Sequence, residues 1–279
     1  MTTPFGARLR AAMDARGPVC AGIDPHAALL GAWGLSDDVS GLERFAMTSV
    51  EALGPEVAVV KPQSAFFERH GSAGVAVLER VVAGCRELGA LVLLDVKRGD
   101  IGTTAQGYAD AYLDPRSPLA ADAMTASPYL GFGSLEPMLA TAERHGAGVF
   151  VLALTSNPEG PQFQHARTPD GGSVAGTVLA ELAARNAGAE PWGSHGAVVG
   201  ATIGRAPVSA EDLDVNGPLL VPGVGAQGGT AESVRAVFGD AVRHVVPSSS
   251  REILGAGPDV AALRAAARRT NEQFAALVR

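Results

Sequence analysis

"LVLLDVKRGDIGTTAQGYA", residues 91–109, opens with four apolar residues and then sets Asp95, Lys97 and Asp100 within six positions. The run Leu91 to Leu94 has the length and branching of a strand buried on both faces, as in a parallel sheet. Strand side chains alternate, so Asp95 and Lys97 are expected to leave the strand end on the same side. Asp100 breaks that alternation, follows Gly99, and is expected on a turn. From this stretch alone the charges read equally as a surface salt bridge or as chemistry. The other strands have to decide.

Seven further short apolar runs flank this one: "PVCAGID" (18–24), "EVAVVK" (56–61), "AADAMTAS" (120–127), "GVFVLALTS" (148–156), "GAVVGAT" (196–202), "PLLVPGVG" (218–225) and "HVVPSSS" (244–250). Helix-like stretches separate them, among them "SAGVAVLERVVAGCRELG", "SLEPMLATAERHG" and "SVAGTVLAELAARNAG", the first rich in Ala and Leu and stopped by a glycine. Strand and helix alternating eight times, with no break in composition, predict an α/β fold with a parallel sheet in one domain over residues 1–279. Eight units favour a closed (β/α)8 TIM barrel over an open doubly wound sheet, although the count does not itself establish closure. A length of 279 residues would equally suit two small domains. The polar segment "NPEGPQFQHARTPDGGS" (157–173) is read as a loop after strand five, either a lid or a solvated insertion.

Composition narrows the function classes. Hydrophobic residues at 47% against 18% charged suit a globular protein with a large core. A net charge of −7, with no basic run, argues against a nucleic-acid partner. No apolar stretch approaches the length of a membrane span, and "MTTPFGARLRAAMDARG" lacks the apolar core of a signal peptide and reads as a short amphipathic helix. Cys20 and Cys85 fit no metal or redox spacing and are expected to be buried thiols, which suits a reducing cytoplasm. The six histidines show no metal-ligand spacing either.

The strand ends resolve the opening ambiguity. Strand one ends in Asp24, strand two in Lys61, strand three in Asp95 and Lys97, strand five in Ser156, and strand eight runs into Arg251. In a parallel barrel all carboxyl ends meet at one mouth, where such folds do their chemistry. Four ionisable groups at the ends of three consecutive buried strands would be costly unless they paired with one another, so mutual pairing is expected. After strand seven, "PGVGAQGGT" (222–230) offers backbone N–H groups to an anion, and "SSSREIL" adds Arg251 at the start of a helix. The loops after strands seven and eight are a frequent phosphate site of this fold.

Taken together, "DVKRGDIGTT", Asp24, Lys61, "PGVGAQGG" and the Ser-Arg of strand eight resemble the orotidine 5′-monophosphate decarboxylases, over about residues 18 to 253. "SPYLG" (127–131) and "TSNPEG" (155–160) are similar to the longer bacterial branch of that family. The resemblance implies loss of the C6 carboxylate of orotidine monophosphate as carbon dioxide, giving uridine monophosphate, the last step of pyrimidine nucleotide synthesis, with no cofactor and no metal. By position it implies that Asp24 and Lys61 bind the ribose, that Lys61 also holds Asp95, and that Lys97 is the proton donor. Asp100, Ile101 and Thr104 would enter the site of the other subunit of a homodimer. Ser156 would meet the pyrimidine, Gln227 and Arg251 would hold the phosphate, and Pro222 would also contact the substrate. Metal-dependent sugar-phosphate lyases of the same superfamily resemble this chain in DxKxxD, but carry an acidic metal ligand where this sequence has Lys61, whose charge would repel a magnesium ion. A non-catalytic phosphate-ligand binder is the remaining alternative, disfavoured by the unbroken set of charges.

Overall fold

The computed structural model describes residues 3–203, 207–225 and 228–278. Eight strands, β1 (Cys20–Ile23), β2 (Val59–Pro62), β3 (Leu91–Arg98), β4 (Ala123–Ala126), β5 (Gly148–Leu154), β6 (His195–Val199), β7 (Leu219–Pro222) and β8 (Val245–Ser249), pair in sequence order. All the pairings are parallel, and β8 returns to β1, with Cys20 opposite Ser248, so the barrel is closed. Each strand overlaps one of the eight apolar runs, most of them trimmed by up to three residues at an end, while β2, β3 and β6 each extend past their run at one end.

Helices between strands cover the outside, for example Gly71–Glu87, whose Val77, Leu78, Val81, Val82 and Cys85 face inward at helical spacing. One unit departs from the expected repeat. Between β6 and β7 the described residues hold only the single 3-10 turn Glu211–Leu213 and no α-helix. The intervening "GRAPVSAEDLDVNGP" lacks a helix-period apolar face and carries two prolines, so nothing there rewards a helix.

The barrel interior is a separate apolar cluster. Cys20, Val59, Leu93, Ala123, Phe150, Val198, Leu220 and Val246 point inward from successive strands. The N-terminal helix Phe5–Arg16 closes the floor, seating Phe5, Leu9 and Met13 among them at i, i+4 and i+8. Burial pushes both cysteine thiols up to about 12, so neither is a nucleophile near neutral pH.

Alternation then carries each inward column upward by two residues. Val59 leads to Lys61, Leu93 to Asp95, Ala123 to Thr125, Leu220 to Pro222 and Val246 to Ser248. Four of these five columns begin apolar at the floor and end polar at the mouth, the β7 column ending instead in Pro222. That gradient places the site.

Candidate active site

Asp95 is the hub of the mouth. Its Oδ2 accepts from Lys61 Nζ at 2.8 Å and from Gln63 Nε2 at 3.1 Å. Its Oδ1 accepts from Lys97 Nζ at 2.5 Å and from Thr125 Oγ1 at 2.9 Å. Burial by itself would raise the Asp95 pKa, but the ammonium groups of Lys61 and Lys97 outweigh it and hold the carboxyl well below the usual carboxylate range. Lys61 is the mirror case: burial would lower it, and Asp95 followed by Asp24 holds it above the ordinary lysine value. Both stay charged. Lys97 differs in exposure, with 45% of its side chain open against 8% for Lys61.

Lys97 reaches Asp95 as expected, but not by simple alternation. Its φ is 45°, a left-handed conformation that side chains other than glycine adopt rarely. The β3–β4 register shifts between Leu94 and Arg98, and the Lys97 backbone N–H donates to Thr125 Oγ1 at 2.9 Å. Beyond it Gly99 passes so close to the Ser127 carbonyl that a Cβ there would lie 2.4 Å from the oxygen. Arg98, next in the chain, is anchored sideways on Glu68 and on the Tyr112 hydroxyl.

The expectation of mutual pairing fails for Asp24. It makes no ion pair among the described residues, and its Oδ1 is buried without a hydrogen-bond partner. It lines a hollow with Lys61, Pro222, Gly223, Val224, Ser248, Ser250 and Arg251. The Ser250 hydroxyl, in the same hollow, is also buried without a partner. The Asp24 carboxylate accepts and the Ser250 hydroxyl can donate or accept, so the hollow suits a polar, hydroxyl-bearing molecule. Arg251, exposed at the start of the short helix Arg251–Leu254, has no ion pair among the described residues and edges the same hollow. Gln227 lies outside the described residues.

Four expected residues make no hydrogen bond to the Lys97 side chain among the described residues. Asp100 accepts from the N–H of its neighbour Ile101 at 2.8 Å and pairs with no lysine of this chain among the described residues. Ile101 is 62% exposed, and Thr104 is exposed beside it on the first turn of helix Gly102–Leu113. Ser156 is exposed at the exit of β5 and lines neither the hollow nor the Asp95 cluster. Sequence reasoning missed Gln63 and Thr125. Their only signal was position, since each stands on an inward column or directly beyond a strand end.

The segment 157–173 is tied back to the mouth by Gln164, which accepts from the Thr155 N–H at 2.9 Å and donates to its hydroxyl at 2.7 Å. Its Phe163 packs edge-on against Tyr129 with ring centres 5.5 Å apart. Both rings are mostly exposed.

Comparison with known proteins finds the chain similar to orotidine 5′-phosphate decarboxylases. The family described as Orotidine 5′-phosphate decarboxylase / HUMPS matches residues 17–266. The orotidine 5′-phosphate decarboxylase of Streptomyces coelicolor is 63% identical over 266 residues, 95% of each chain. That of a Nocardioides species is 64% identical over 275 residues, 97% of this chain and 98% of its own. A crystal structure assigned to orotidine 5′-phosphate decarboxylase of Streptomyces avermitilis superposes with a TM-score of 0.96 at 64% identity, covering 99% of this chain and 96% of that one.

Proposed function

This chain belongs to the orotidine 5′-phosphate decarboxylase family, and we propose that Lys97 is the group at which it converts orotidine 5′-phosphate to uridine 5′-phosphate and carbon dioxide. The reaction is the decarboxylation step of pyrimidine biosynthesis. One observation carries the assignment: Lys97 is the partly exposed ammonium of a cluster whose other lysine is sealed against Asp95.

The chemical difficulty is the electron pair left on C6 when the bond to the carboxylate carbon breaks, since no adjacent carbonyl delocalises it. An ammonium fixed beside that carbon stabilises the charge as it develops and then donates its proton to C6, leaving a neutral amine that solvent reprotonates. Asp95 holds Lys97 charged and in place. The buried Oδ1 of Asp24 accepts a ribose hydroxyl, with Lys61 beside it. The Pro222–Gly225 turn and Arg251 hold the phosphate, Gln227 joins them, and Ser156 meets the pyrimidine once substrate is bound.

Asp100, Ile101 and Thr104 serve a second copy of the chain. Ile101, Tyr129 and Leu130, exposed apolar side chains in the adjacent loops after β3 and β4, support a two-fold dimer on this face. The whole chain acts as one decarboxylase domain. A cytoplasmic setting is supported by two free, buried cysteines, and no described helix is long and apolar enough to cross a membrane.

The test is the fall in absorbance on adding orotidine 5′-phosphate to the purified protein with a chelator present. Conversion is expected. Turnover that stops with chelator would favour the metal-dependent lyase reading, and no turnover under any condition would favour a mere binder.

A further inference from the structure

Thr125 lies on β4, two residues above Ala123 in an inward column, and is 1% exposed. A β-branched residue is expected there, and valine has the same shape without a polar atom to satisfy. The hydroxyl therefore needs an account.

It uses both of its capacities within one site. It accepts the Lys97 N–H at 2.9 Å, where the β3–β4 register shifts. It donates to Asp95 Oδ1 at 2.9 Å, the same oxygen that receives Lys97 Nζ at 2.5 Å. The hydrogen bonds close a ring: Lys97 backbone, Thr125 hydroxyl, Asp95 carboxylate, Lys97 ammonium. Gln63, by contrast, touches only the other oxygen of the carboxylate.

We propose that Thr125 is a positioning residue, whose hydroxyl locks the left-handed backbone and the ammonium of Lys97 into one geometry before substrate arrives. The proposal rests on the reading of Lys97 as the proton donor. Thr125 has no need to touch substrate. Losing it frees the Lys97 N–H and one side of Asp95 while β4 still holds Arg98 next in the chain, and a misplacement of the ammonium near 1 Å costs about a hundredfold in rate.

The test compares T125V and T125S with the wild type and K97A, measuring kcat, KM and Tm. T125V is expected to lose about tenfold to a hundredfold in kcat, with KM changed by less than about threefold. T125S keeps the hydroxyl and is expected within about threefold of wild-type kcat. Should T125V not accumulate as folded protein, T125A carries the same comparison. Wild-type kcat in T125V or T125A overturns the proposal. So does a T125S variant as impaired as T125V, because the methyl group rather than the hydroxyl would then matter. A K97A variant that kept its turnover would instead overturn the role of Lys97, which separates the two failures.

Discussion

Lys61 donates to Asp95 across the β2–β3 join at 2.8 Å, with less than a tenth of either side chain exposed. A pair this buried gives little net stability, yet removing one partner strands the other. Lys61→Met should therefore destabilise the fold. The loss should fall near the lower end of the ~3–5 kcal/mol typical of a broken buried pair, since Lys97, Gln63 and Thr125 still face Asp95. Adding Asp95→Asn should restore part of it, as read by urea unfolding. A double variant no more stable than the single one would mean that stranded charge is not the cause. The pH sense follows from the two groups. Asp95, held low, contributes stability present above about 3.9 and lost as the pH falls from there toward its folded value. Lys61, held high, contributes stability present below about 10.4 and lost as the pH rises through its folded value.

Arg251→Ala should raise KM by about tenfold or more and lower kcat less, by deleting a charge-assisted contact to the substrate phosphate. The side chain is exposed at the rim of the hollow and has no ion pair among the described residues, so its loss should leave Tm nearly unchanged. Phosphite added with a substrate lacking its phosphate should partly restore turnover in the wild type, and less so in the variant. Unchanged kcat/KM in Arg251→Ala would remove this residue from the phosphate site.

The barrel and the charged cluster were legible because both rest on strong local signals. Apolar runs such as "ALVLLD" mark buried strands without any tertiary knowledge, and charges at their ends are conspicuous against them. Thr125 and Gln63 were hidden for the opposite reason. A neutral polar residue at a strand end costs little when solvated, and only three-dimensional contact shows that both converge on Asp95. The left-handed Lys97 was hidden too, since lysine is not a residue that announces a positive φ. The helix expected between β6 and β7 came from counting repeats, and a repeat count cannot detect a unit whose own sequence lacks helical periodicity. Nor could hydropathy reveal that Phe5, Leu9 and Met13 plug the barrel rather than lie on its outside.

His244, buried beneath the barrel against the Trp192 ring, places Nε2 3.0 Å from Asp214 Oδ1. Burial, helped by neighbouring Arg243, pulls its pKa below the ordinary histidine value, and Asp214 only partly opposes this. The unfolded chain therefore binds the proton first. Stability is fully present above about pH 6.5 and lost as the pH falls toward the folded pKa. The Tm of the wild type should fall as the pH drops below about 6.5, and that of His244→Gln should fall less over the same range. Parallel curves would remove His244 from the acid response.

Asp100 Oδ1 accepts from the Ile101 N–H at 2.8 Å, and Asp100 pairs with no lysine of its own chain among the described residues, which supports the shared-site reading. Lys97→Ala and Asp100→Ala should each be nearly inactive through kcat, because the ammonium acts mainly on charge that appears in the transition state. In a two-fold dimer residues exchange reciprocally. A heterodimer of the two variants then holds one site lacking both groups and one intact site. Random reassociation of equal amounts makes about half of the dimers mixed, so roughly a quarter of all sites should regain wild-type turnover. If Asp100 served its own subunit, every site would lack one group and mixing would restore nothing. Mass spectrometry of differently tagged variants can verify that subunits have exchanged. A mixture that remains inactive after verified exchange would return Asp100 to its own chain.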